Sequence, residues 1–319
     1  DPEALKRALP PGSSVSAVLM SGDRTVTGTC TVTYNDGHRV LGCGHHLLKF
    51  GKIEIPMARA EVITVLGSSL APFKIINTTD VVGVLRQDRH NGILGVLGGA
   101  ASMIPVEATL RAGGTSRTYR FQVFQNPKFT PFMLMFVFFD TLFSVNQYGD
   151  EATYRLNGSI QLEGFPEVKL ENLYAAGEGP AALPGPMGLS FWISERFSRI
   201  FNNSYETPKI TGVKMDIEVI PERRTAAIEH VWVEKTEVRP GEKLNMKVFL
   251  RPYRGERFVK DVEMTVPATA PKGDLRILFS DAEMVNRSHN MALAMNRIPG
   301  LNQIVALLNR ERANGRLYV

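Results

Sequence analysis

Short alternating runs of apolar and polar residues, broken every few positions by glycine or proline, dominate the first 127 residues. Ser14–Met20, Thr25–Tyr34, His38–Leu41, Ile53–Ile55, Ala60–Leu66, Pro72–Ile76, Val81–Leu85, Ile104–Arg111 and Thr118–Phe124 read as strands. A two-residue period places alternate side chains on one buried face. Glu3–Leu9 reads as a short helix ended by Pro10-Pro11-Gly12. Many short strands joined by turns predict a barrel or sandwich over 1–127, not alternating strand–helix units. Asn35-Asp36-Gly37 between two β-branched runs is a hairpin signal, and the return strand runs into Gly42-Cys43-Gly44-His45-His46.

From 128 to 220 the pattern is mixed. Thr130–Tyr148 and Pro186–Phe201 have helical periodicity, whereas Ala152–Leu162, Glu167–Leu170 and Ile210–Ile220 read as strands. Phe132, Phe136, Phe139 and Phe143 recur at helical spacing, which predicts a stripe buried in the core. The apolar run Phe132–Phe139 is too short for a membrane span. Pro221-Glu222-Arg223-Arg224 marks a boundary. Ala226–Val233, Leu244–Leu250, Phe258–Val266 and Leu275–Phe279 then predict a small β-sandwich of immunoglobulin-like size over 221–280. A mostly helical tail, 281–319, breaks at Pro299-Gly300 and ends in a strand at Leu317–Val319. The fold class is mainly β with some α.

Composition changes this picture little. With 44% hydrophobic and 22% charged residues the chain is an ordinary globular sequence. A net charge of +5 is spread along it without the basic and aromatic interleaving of a nucleic-acid groove. The glycines of Asn91–Gly99 recur at three-residue spacing, which fits neither a dinucleotide fingerprint nor a phosphate loop. They read as tight turns and close strand packing, and no cofactor is expected. Asp1-Pro2 is not a natural start, so the chain reads as a fragment or a processed product.

Candidate chemistry centres on the histidines. His45, flanked by Gly44 and His46, stands at a strand end open to close approach. Adjacent His45 and His46 on a strand point to opposite faces, and no HExxH or CxxC accompanies them, so no metal site is expected. A metal module of His45, His46 and His90 is the remote alternative. Asp88, between Gln87 and Arg89, is either an exposed acid paired with a neighbouring arginine or a carboxylate that orients an imidazole. No GxSxG elbow or GxSG occurs, and Ser68, Ser69 and Ser190 read as turn or helix residues.

The two cysteines leave two registers open. A two-residue loop at Asp36-Gly37 sets Cys30 opposite Cys43 in a non-hydrogen-bonded pair, where Cα atoms approach to about 4.5 Å and a disulfide fits. A three-residue loop with Gly37 in a bulge puts the thiols on opposite faces.

Gly12-Ser13-Ser14-Val15-Ser16, Ser21-Gly22-Asp23, Gly28-Thr29, Asp36-Gly37, Gly44-His45, Phe73-Lys74-Ile75, Gln87-Asp88-Arg89, Gly92-Ile93-Leu94-Gly95 and Ser102-Met103-Ile104-Pro105 together resemble the SpoIVB peptidase family. The similarity is to its long, acidobacterial-type members and is strongest over residues 12–110. The resemblance implies a serine endopeptidase with a trypsin-like β-barrel fold, acting on peptide or protein substrates outside the cytoplasm. It makes His45 the catalytic histidine and Asp88 a match to a family motif. Cys30 and Cys43 replace residues usual in the family at two positions that can pair, which favours the two-residue loop and the bridge. The family's GMSGSP nucleophile motif is absent. The resemblance therefore implies a partner segment upstream that carries the serine. Alone, this chain is expected to be inactive. A non-catalytic extracytoplasmic binding or scaffold protein on the same fold is the alternative. Substrate sequence and oligomeric state are not legible in the sequence.

Overall fold

The computed structural model describes residues 7–70, 72–145, 149–177, 183–294 and 299–319. Most of the helix expected at Glu3–Leu9 lies outside them. Strands β1 (Ser14–Gly22), β2 (Val26–Asn35), β3 (Arg39–Gly42), β4 (Gly51–Leu66), β5 (Phe73–Arg89) and β6 (Gly92–Leu97) pair in the order β1-β2-β3-β6-β5-β4. β4 returns to β1 through Ser14↔Ala60 to Ala17↔Met57, so the ring closes into an antiparallel barrel. Within the ring, closure leaves no open strand edge. Val15, Ala17, Val32, Val40, Ile55, Met57, Leu85 and Ile93 fill the interior, as strict alternation demands. Gly95 lies against Met57, where a side chain would collide with it. The glycine-rich stretch thus permits close strand packing. At one end, the hydroxyls of Ser16, Thr27, Thr29 and Thr78 form a hydrogen-bonded plug, with Ser16 to Thr29 at 2.6 Å and Thr78 to Ser16 at 2.9 Å.

β7 (Met103–Ala112) and β8 (Thr115–Phe124) lie outside the closed ring, in a second limb of the same 11-stranded sheet. With β9 (Thr153–Leu162), β10 (Val168–Ala175) and β11 (Ile210–Ile220) they run in the order β10-β9-β11-β7-β8. β11 lies parallel to β7 over Val213–Val219. β1 joins the two regions, pairing β2 from Ser14 to Met20 and β8 from Met20 to Gly22. Alternation marks a strand but carries no record of its neighbour, so the pattern alone does not say which strands close the ring.

Helices α1 (Thr130–Val145) and α2 (Gly185–Phe201) share the core of this second limb through Leu134, Val137, Phe138, Ile193 and Phe197. The phenylalanine stripe of α1 is not the buried face. Phe132, Phe136 and Phe143 are 51%, 47% and 67% exposed, while Met133, Leu134, Val137, Phe138 and Leu142 are buried. The helix is apolar on almost every side, so periodicity alone names no inward face. No helix among the described residues is long and apolar enough to cross a membrane.

Among the described residues, 221–280 hold one three-stranded antiparallel sheet, β12 (Ala226–Val233), β13 (Lys243–Pro252) and β14 (Phe258–Thr265). The expected sandwich is not formed, because Leu275–Phe279 pairs with no strand. Only Leu244, Met246 and Val248 of β13 make a buried stripe; β12 is exposed along nearly its whole length. That is too little inward surface for two facing sheets. The tail folds back. α3 (Ala282–Ala294) leads to α4 (Leu301–Leu308), whose Leu301, Ile304, Val305 and Leu308 enter the core beside β7 to β11. Asn309 fixes it there, accepting from Lys169 N at 2.8 Å and donating to the Glu167 carbonyl at 2.9 Å. The final strand reduces to a bridge between Tyr318 and Ser280.

Candidate functional site

The β2–β3 turn has four residues, Asp36–Arg39, between the paired Asn35 and Val40. Side chains dictate this. Asn35 Oδ1 accepts from Gly37 N at 2.8 Å, and Asp36 Oδ1 accepts from His38 N at 2.9 Å and Arg39 N at 2.6 Å. Short polar side chains that satisfy turn amides in this way favour a wider loop than a two-residue hairpin. The backbone N–H groups of Arg39 and His38 hold the Asp36 carboxyl below its ordinary value. Neither anticipated register forms, yet Cys30 and Cys43 are bonded, with Cα atoms 4.8 Å apart. A bulge between Val32 and Tyr34 takes back part of the offset. Cys43 then leaves the ladder at φ 73°, and the thiols meet.

The disulfide anchors one end of the loop that carries His45. Asp88 anchors its middle. At the end of β5 and 1% exposed, the Asp88 carboxylate accepts from Leu47 N and Leu48 N, both at 2.7 Å, and from Phe50 N at 3.4 Å. Neither sequence reading of Asp88 anticipates this. Arg86 pairs with Glu54 at 3.0 Å and Arg89 with Gln87 at 3.1 Å, so neither arginine is its partner. Lys49 sits at φ 61° within the clamped turn, a conformation that costs a non-glycine residue energy and persists because its surroundings impose it. Leu47 packs over Gly28, where an added Cβ would lie 2.9 Å from its Cδ1.

His45 and His46 are exposed at the crown of this loop. His45 Nδ1 lies 2.7 Å from the His46 carbonyl oxygen. A carbonyl can only accept, so in the neutral ring Nδ1 carries the proton and Nε2 presents its lone pair outward. That is the tautomer a general base needs, with a main-chain carbonyl in the orienting place that a carboxylate holds in hydrolytic triads. The loop thus brings His45 and Asp88 to one rim without joining them directly. The His46 ring stacks beside His90, with centroids 6.1 Å apart. Among the described residues no group of three or more His, Cys, Asp or Glu is placed to hold a metal.

The serines weighed from sequence lie elsewhere. Ser190 is buried in α2 and donates to the Pro186 carbonyl at 2.7 Å, and Ser68 and Ser69 sit in the β4–β5 connection. His230 stacks on Phe249 in the C-terminal sheet. The sequence missed the His46 carbonyl and the loop amides of Leu47 and Leu48, since backbone groups leave no mark in composition. Comparison with family models, with curated proteins and with solved structures finds no match.

Proposed function

We propose that this chain is the histidine-bearing portion of an extracytoplasmic, SpoIVB-like serine endopeptidase with a trypsin-like barrel, completed by a serine from outside the chain. The observation that carries the reading is the exposed His45, its Nδ1 held by the His46 carbonyl and its loop fixed by a disulfide and by buried Asp88. Preorganisation of this kind serves a base that must meet an incoming nucleophile at a set place. The closed six-stranded barrel, with His45 just beyond its third strand and Asp88 ending its fifth, supports the same reading. So does the disulfide, which belongs to an oxidising compartment.

In the reaction, His45 Nε2 takes the hydroxyl proton as the serine oxygen attacks the scissile carbonyl carbon. The imidazolium then gives that proton to the leaving amine as the C–N bond breaks. Asp88 acts as a positioning residue through the loop. Imidazole without nucleophile and oxyanion hole does not hydrolyse peptides, so the chain alone is inactive. A serine-reactive fluorophosphonate probe tests this: a longer polypeptide carrying the upstream segment should label, and labelling of this chain alone would refute an external nucleophile.

One observation favours a second reading, a non-catalytic binding protein on the same barrel. Asp88 is bonded to backbone amides, and among the described residues His45 is oriented by the His46 carbonyl and not by a carboxylate. If His45→Ala leaves peptide cleavage by the longer polypeptide unchanged, this second reading holds.

A further inference from the structure

β4 and β5 run on well past the barrel. β1 last meets β4 at Ala60, and β6 last meets β5 at Gly83. Beyond those points Glu61–Leu66 and Phe73–Asn77 pair only with each other. They form a two-stranded arm on the outer side of the hydroxyl plug. Both faces of this arm are apolar and bare: Ile63 is 67% exposed, Val65 55%, Leu70 95% and Phe73 59%, with Val62, Leu66 and Ile75 at 40% or above. An isolated ribbon gains little stability in water. Its outer edges also offer unpaired backbone groups, with no proline in Glu61–Leu66 or Phe73–Asn77, and Lys74 is the only charge between Val62 and Thr79.

We infer that the arm is a dimerisation element, which packs antiparallel against the same arm of a second copy of this chain. Two observations select this occupant. The apolar surface runs along the ribbon's length, so sinking it into a bilayer would carry open strand edges into hydrocarbon, which excludes lipid as its cover. Charge also fits a twofold. Lys74 stands near the tip, while Arg59, Glu61 and Asp80 give the base one net negative charge. Lys74, Glu61 and Asp80 have no ion-pair partner among the described residues. An antiparallel pair sets each tip against the other base, as an isologous interface requires.

This inference does not rest on the peptidase reading. β4 starts at Gly51 beside the histidine loop, and at about 3.3 Å per residue the tip lies roughly 40–50 Å further along the strand. A serine-bearing partner seated at His45 leaves the arm uncovered.

Sedimentation velocity on the whole chain, over concentrations from about 1 to 100 μM, tests it. The wild type should be a dimer. Ile63→Lys combined with Phe73→Glu should weaken association at least about 100-fold, with unchanged far-ultraviolet circular dichroism and melting. Lys74→Glu should weaken it about tenfold, and Glu61→Lys in the same chain should restore it. A protein monomeric at every concentration overturns the inference, as does a dimer indifferent to these substitutions. Cosedimentation of a monomer with phosphatidylcholine or phosphatidylglycerol vesicles, lost in the double variant, also overturns it and assigns the arm to lipid.

Discussion

At the Gly51/Asp88 end of the β4–β5 hairpin, a buried carboxylate, a disulfide and strained backbone hold one loop in place. At the Leu66/Phe73 end of the same two strands, nothing among the described residues covers a ribbon of valine, isoleucine, leucine and phenylalanine. The residue types run opposite to expectation, with polar and ionisable groups at the fastened end and aliphatic groups at the bare one. Buried polar groups are fixed when their hydrogen bonds are complete. Apolar side chains contribute only where another surface meets them. The fastened end is therefore finished within the chain, and the bare end is finished by association.

The strongest way to break this contrast is to unfasten the first end. Asp88→Ala leaves the amides of Leu47, Leu48 and Phe50 without their acceptor and should cost about 4 kcal/mol, each bond to a charged acceptor being worth well over 1 kcal/mol. Chemical denaturation measures the loss, and hydrogen exchange should show Leu47 and Leu48 unprotected. Removing the bridge by Cys30→Ser with Cys43→Ser should cost about 3 kcal/mol, the scale for a short closed loop. The same variant without added reductant should match the wild type in reductant.

A smaller effect comes from the helical layer, where the chain also finishes its own polar contacts. Glu311 meets Arg196 at 2.8 Å and pairs with Arg199. Burial pushes the Glu311 carboxyl up, but Arg196 and Arg199 outweigh it and hold the group below the usual range. Beside it, burial raises Glu195. Glu311→Gln should cost about 2 kcal/mol at neutral pH, less than full removal of a buried partner because the amide still accepts a hydrogen bond. The Glu311 contribution is complete above the unfolded-state value of about 4.3 and is lost as pH falls through the lower folded value. The gap between wild type and variant should therefore close in acid denaturation series. At the bare end, Ile63→Lys should change monomer stability by less than about 0.5 kcal/mol, measured below the dimer's dissociation concentration.

The positions of most strands and helices were legible because they follow from local rules. Alternation marked β1 to β3 and parts of β4 and β5, while β6 lay hidden in the glycine-rich stretch; Pro186 opened α2, and Pro299-Gly300 divided the tail. The Cys30–Cys43 pair was legible too, although the register that delivers it was not. Asn35 and Asp36 widened the turn, and a bulge compensated further along. At the site, His45 and Asp88 stood out as residue types, but the groups that hold them in place are amides and a carbonyl, which every residue possesses.

The sequence by itself determined roughly where most strands and helices lie, which side chains can titrate or cross-link, and that a hairpin leads into His45. Only the tertiary structure decided that β7 and β8 leave the barrel, that Phe132, Phe136 and Phe143 face outward, and that 221–280 hold a single sheet. The physical reason is range. Periodicity and turn chemistry act over a few residues, whereas burial depends on which distant surface arrives to exclude water.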